Sequence, residues 1–189
     1  SLTPDTIICP GDIIQLSVSG ASIYSWNPDP TLSSLNISNP IASPTQSTLY
    51  VVSLEDTVGC LATDTIVVTI DTVIASVANN PSTCSGDSVQ LQGLGGLYYS
   101  WSPSSFLSND SIADPYASPL QTTSYSLIVS DDYCSDSVIV SVVVHDPPVV
   151  DAGFDTSVCF GSSVQAQATG ANQYQWSPTV GLSNSDSSV

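Results

Sequence analysis

Three tryptophans sit in one phrase repeated along the chain: "YSWNP" at 24–28, "YSWSP" at 99–103 and "YQWSP" at 174–178. Trp26, Trp101 and Trp176 are 75 residues apart, and so are Cys9, Cys84 and Cys159. Pro28, Pro103 and Pro178 keep the same step, as do Leu32, Leu107 and Leu182 and the tyrosines Tyr24, Tyr99 and Tyr174. Pro40 matches Pro115, Pro44 matches Pro119 and Tyr50 matches Tyr125. A fixed period of this kind is the mark of a tandem array. It divides the chain into units at 1–70, 71–145 and 146–189, with "HDPPVVDAG" (145–153) as a proline-stiffened linker.

Each unit reads as strands. In "DIIQLSVSG" (12–20), Ile14, Leu16 and Val18 fall on one face and Gln15 and Ser17 on the other. Val89 and Leu91, then Val164 and Ala166, keep that parity. Alternation of this period predicts a half-buried strand. "SIYSW", "STLYVVSL" and "TDTIVVTI" supply further strands in the first unit, separated by Gly, Pro, Asn and Asp. No helical periodicity runs over three turns. The pattern predicts an all-β chain of small tandem antiparallel β-sandwiches with a 75-residue repeat. The third unit stops short of its last two strands, so the sequence reads as a window of something longer, or as a unit completed by another chain.

Composition removes several functions. The chain has no Lys and no Arg, 17 acids and one histidine, for a net charge of −17. Nucleic-acid binding needs basic groups to displace counterions, and anionic lipid needs them too. No stretch approaches the apolar length of a membrane span. Side-chain salt bridges are essentially unavailable, so stability must come from apolar burial, backbone ladders and cystine. Trypsin has no site.

Five cysteines leave one over. Spacing within units predicts bridges Cys9–Cys60 and Cys84–Cys134, with the partner of Cys159 about 50 residues farther on, beyond the segment. There is no clustered Cys/His pattern for zinc. Oxidised cysteines predict an extracellular location. A bridge inside each unit would tie one end of its sandwich. Under load, only residues such as 61–83 would then extend.

The aromatic positions Trp26, Trp101, Trp176, Tyr24, Tyr99 and Tyr174 are read as core, because their parity matches the buried face of the neighbouring strand. Stacking on sugars is the competing use of such rings. Asp131, Asp132 and Asp136 cluster around Cys134 and could hold structural Ca²⁺, although no cofactor is required. His145 occurs once, at the linker, and offers no catalytic arrangement. The expectation is that the chain is not an enzyme.

The stretch "CPGDIIQLSVSGASIYSWNP…TLSS…NPIASPTQSTLYVVSLEDTVGCLATDTIVVTI" resembles the immunoglobulin-like, PKD-like repeats of large cell-surface proteins of Bacteroidota. Those repeats carry a Cys-x-Gly strand entry, a Trp-x-Pro, an Asn-Pro-x-Ala-Ser-Pro stretch and a Tyr-rich strand. The resemblance covers all three units, the last in part. It implies a gliding-motility-type adhesin or similar surface protein exported by the type IX secretion system. Asp-Ser/Thr followed by an aliphatic residue also resembles the O-glycosylation signal of that group. It occurs with acceptors Thr6, Thr57, Thr65, Thr72, Ser88, Ser111 and Ser137.

The expected function is a structural repeat segment of a long extracellular adhesin or filamentous surface appendage, giving reach and mechanical stability. The expected partners are neighbouring repeats of the same chain, with a homo-oligomeric fibre as a further possibility. A glycan-binding or spacer module of a secreted protein is the alternative.

Overall fold

A computed structural model describes residues 2–188. The first unit contains β1 (Thr6–Ile8), β2 (Ile14–Gln15), β3 (Ile23–Trp26), β4 (Ile41–Ala42), β5 (Thr48–Glu55) and β6 (Leu61–Ile70). The second contains β7 (Ser76–Val77), β8 (Ser82–Cys84), β9 (Val89–Gln90), β10 (Gly93–Leu94), β11 (Tyr98–Ser102), β12 (Tyr116–Ala117), β13 (Thr123–Ser130) and β14 (Ser135–His145). The order β1-β6-β5-β3 in the first four-stranded sheet recurs as β8-β14-β13-β11 in the second. The small pairs β2–β4 and β9–β12 also repeat.

Each of the first two units is a two-layer sandwich. On β5, Tyr50 and Val52 face inward; on its partner β6, so do Ile66 and Val68. Leu16, Val18 and Ala42 come from the opposite layer to meet them. Tyr125, Leu127, Val129, Val140 and Val142 pack the same way against Leu91 and Ala117 in the second unit. The period-2 pattern of these strands is therefore a burial pattern, as the alternation predicted. Pro40 and Pro44 are fully buried. The Pro40 carbonyl takes the Leu16 N–H at 2.9 Å, as Pro115 takes that of Leu91 at 2.9 Å. A proline can accept in this way while having no N–H to leave unpaired.

In each of the first two units an early strand runs parallel to the last. β1 pairs with β6 with Ile8 opposite Ile70, and β8 pairs with β14 with Cys84 opposite His145. Cys9 therefore lies where the chain leaves the first unit, beside Asp71, whose N–H donates to the Ile8 carbonyl at 3.0 Å. Cys60 immediately precedes Leu61 at the other end of the ten-residue β6. Ten strand residues span about 33 Å, and a disulfide needs Cα atoms within about 7 Å.

The expected Cys9–Cys60 pair is thus excluded by topology. Cys84–Cys134 fails for the same reason, because the eleven-residue β14 separates those two positions. The bridge that forms is Cys9–Cys134, with a Cα–Cα distance of 5.6 Å. It runs between units rather than within one.

In the third unit no strand forms among the described residues 146–188. A single antiparallel bridge joins Asp151 to Thr169. Phe154 and Phe160 are fully exposed, at 101 % and 108 %. Among the described residues 146–188 there is no counterpart of the β13–β14 hairpin, which supplies most of the core in the second unit.

Candidate functional site at the junction of two units

The Cys9–Cys134 bridge joins the two sandwiches covalently, alongside the peptide that connects them. Cys134 closes the turn between β13 and β14. The Asp131 carboxylate accepts from the N–H of Tyr133 at 2.8 Å and of Cys134 at 2.7 Å. The Asp131 N–H donates back to the Cys134 carbonyl at 3.0 Å. Those amide donors, Cys134 first, hold the Asp131 carboxyl below the usual carboxylate range.

The turn places Cys134 at the entry end of the second unit, against the exit end of the first. Its sulfur lies 3.6 Å from the Asp71 carbonyl, and the Cys9 sulfur lies 3.4 Å from the Tyr133 carbonyl. An oxidised sulfur carries no proton, so these are packing contacts. Cys134 is only 4 % exposed, and Cys9 packs on the second unit's core.

The peptide between the units is held as well. Val73 is buried in the second core. The Ala75 N–H donates to the Asp136 carboxylate at 2.9 Å, which lowers that carboxyl's pKa. The segment 71–75 is therefore tied at its start to β1 and at its end to β14, with the disulfide alongside. Such an arrangement fixes one unit against the next.

The acids considered for Ca²⁺ do not converge. Asp131 is occupied by the turn, Asp136 by Ala75, and Asp132 accepts from the Tyr98 hydroxyl at 3.2 Å. Among the described residues no group of three or more His, Cys, Asp or Glu side chains could hold a metal.

Trp26 and Trp101 are 2 % exposed. Their indole N–H groups donate to the carbonyls of Ile37 at 2.8 Å and Ile112 at 2.9 Å, so ring and polar edge are both used internally. Trp176 makes the matching bond to Ser187 at 2.7 Å but is only half-buried. Tyr24, Tyr99 and Tyr174 are also half-buried. Each hydroxyl donates to the carbonyl three residues earlier, on Ala21, Gly96 and Ala171. They close the turn in front of the tryptophan strand, and Tyr24 and Tyr99 also pack against the cores of their units. A hollow beside Trp176 is lined by Val164, Ala166 and Leu182. Their repeat equivalents, Leu16 and Leu91 among them, are core residues in the folded units, so the hollow is an unfilled core.

The acceptors Thr57, Thr65, Thr72, Ser88, Ser111 and Ser137 are exposed, and Thr6 is half-buried. Thr6, Thr65 and Ser137 stand on strands; the other four lie outside them.

Reasoning from sequence missed Asp71, Val73, Ala75 and the Asp131 turn as parts of one junction. A signal was present. Asp56 and Asp131 recur 75 apart, each just ahead of the late cysteine of its unit.

No family model matches this sequence, and no curated protein does. Solved structures with a likeness include a titin domain pair in complex with telethonin. It is 14 % identical, covers 78 % of this chain and 96 % of its own, and has a TM-score of 0.32. An I-band fragment of titin is 14 % identical over 76 % of this chain and 63 % of its own, at 0.42. The insect immune protein hemolin is 14 % identical over 77 % and 46 %, at 0.41. The chain's own strand order and paired layers make it a tandem of immunoglobulin-like β-sandwiches.

Proposed function

We propose that this chain is a structural repeat segment of a long extracellular adhesin or filamentous surface appendage, of the type carried by large Bacteroidota cell-surface proteins. Units fall at 1–70, 71–145 and 146–189, and neighbouring units are one another's partners. The observation that carries the reading is the Cys9–Cys134 bridge across the junction. It supports a chain designed to hold direction and bear load, in a compartment where disulfides persist. The absence of Lys and Arg agrees with a surface that resists trypsin-like cleavage and relies on neutral hydroxyls.

Single-molecule pulling tests this reading. The bridge closes a sequence separation of 125, hiding about 430 Å of contour at about 3.5 Å per residue. Extension on unfolding should therefore rise by that order when reductant is added. Equal extension with and without reductant would remove the mechanical role.

The glycan-binding alternative is disfavoured by the burial of Trp26 and Trp101, whose indole N–H groups are already bonded. Modification at the Asp-Ser/Thr acceptors is part of the proposal, and intact-mass measurement on material from the native host checks it.

A further inference from the structure

We propose that the Cys9–Cys134 bridge is one copy of a repeating inter-unit lock. Cys84 is then half of the next copy. Its partner is the cysteine in the long-hairpin turn of a complete unit following it in the same chain.

The placement of each cysteine carries this. Cys9 directly follows β1, whose last residue Ile8 lies opposite Ile70, the last residue of β6; Cys84 ends β8 opposite His145, the last residue of β14. Both open the same turn: the Asp12 N–H donates to the Cys9 carbonyl at 3.1 Å, and the Asp87 N–H to that of Cys84 at 3.0 Å. Both therefore stand at the exit end of their unit.

Cys60 is the counterpart of Cys134. The Asp56 carboxylate accepts from Val58 and Cys60, each at 2.9 Å, as Asp131 does from Tyr133 and Cys134. Each folded unit thus presents one cysteine at its exit and one at its entry, separated by a full-length strand. They cannot meet within a unit and can meet only between units. Exposure follows the same rule. Cys134, covered by the first unit, is buried; Cys60 and Cys84, facing no folded unit here, are exposed.

Closure needs an oxidant, and a small-molecule disulfide serves. The Cys84 thiolate attacks it, breaking its S–S bond, releasing one thiol and leaving a mixed disulfide. The partner thiolate then displaces the second thiol and forms the protein bridge. Two cysteines are oxidised and one small disulfide is reduced to two thiols. Bridges spaced by 75 and spanning 125 overlap, so every interior unit would be stapled to both neighbours.

This goes beyond the spacer reading and can fail while that reading stands. The test extends the chain beyond residue 189 with a copy of residues 115–145, which supplies the third unit with a hairpin and its cysteine. The protein is refolded in glutathione buffer, cleaved with chymotrypsin without reduction, and mapped by mass spectrometry. The expected product links Cys84 to the appended cysteine beside an intact Cys9–Cys134 bridge, with Cys60 and Cys159 open to alkylation. A folded extended chain in which Cys84 remains alkylatable, or Cys159 takes the new cysteine, overturns the proposal.

The unextended chain provides a second reading. In Cys9→Ser, Cys134 and Cys84 should both remain free thiols. A Cys84–Cys134 bridge there would overturn the opposite-ends geometry. Loss of the Cys9–Cys134 link in the unaltered chain would instead strike the spacer reading itself.

Discussion

The second and third units share their loops and differ in their cores. Trp101 and Trp176 each donate an indole N–H to a carbonyl eleven residues ahead. Tyr99 and Tyr174 each reach back three residues. The turn after Cys84 recurs after Cys159, where the Ser162 N–H donates to the Cys159 carbonyl at 2.9 Å. Yet Leu91 is fully buried while its counterpart Ala166 is exposed, and no strand forms among the described residues of the third unit. The loops are encoded by contacts within about a dozen residues. The core is made by the long hairpin, whose inward residues come from the far end of the repeat.

The largest break in this comparison lies between the junctions. Reducing the Cys9–Cys134 bridge, or making Cys9→Ser, should cost about 5 kcal/mol in the chain-entropy estimate for so long a loop. Cys84→Ser, at a junction without a bridge here, should cost close to nothing. Chemical denaturation of the three proteins with and without reductant measures both. Similar losses for the two variants would mean that the staple does not distinguish the junctions.

Next comes the tryptophan. Trp101→Ala should cost about 4 kcal/mol, the usual range for emptying a packed aromatic site. Trp176→Ala should cost a small fraction of that, since no hairpin packs on it. Denaturation midpoints followed by far-ultraviolet circular dichroism compare the two. Equal costs would show that the third unit has a core after all.

How much of this was legible follows the same division. Strand parity, the buried Trp26 and Trp101 and the tandem sandwich are local or periodic, and repetition amplified them. The cysteine pairing was not. Cys9 precedes an alternating strand and Cys60 sits in a hairpin turn, which places both at strand ends but not at which end. That depends on β1 running parallel to β6, a long-range choice with no periodic signature. The acids around Cys134 misled for a related reason. Their nearness in sequence is real, but Asp131, Asp132 and Asp136 turn to a hairpin turn, a tyrosine and a linker amide.

A smaller difference separates the first unit from the second. Gly95 has φ of 121°, and a Cβ there would fall 1.9 Å from the Ile74 carbonyl oxygen. Its counterpart Gly20 has φ of 103° and nothing within 4 Å. Gly95→Ala should therefore cost about 3 kcal/mol, combining left-handed strain with a backbone clash, against about 1 kcal/mol of strain alone for Gly20→Ala. A Gly20→Ala loss as large as that of Gly95→Ala would show that conformation, rather than the close approach, governs both sites.

The smallest expected effect concerns pH. Asp131 and Asp56 are both held below the ordinary carboxylate range by turn amides, chiefly those of Cys134 and Cys60. A carboxyl depressed in the folded state contributes stability that is fully present above its unfolded value of about 3.9. That contribution is lost as pH falls through the lower folded value. Both groups are exposed, so solvent screening keeps the effect slight. The amide proton shifts of Tyr133 and Cys134, followed by NMR during acidification, should titrate below about pH 3.9, and Asp131→Asn should abolish that step. The Val58 and Cys60 amides should titrate in the same direction. Below those midpoints the Asp56 turn should loosen more, because Cys60 carries no bridge while Cys134 is pinned by Cys9. Equal loosening of the two turns in acid would mean that the carboxylate, and not the disulfide, holds the Cys134 turn in place.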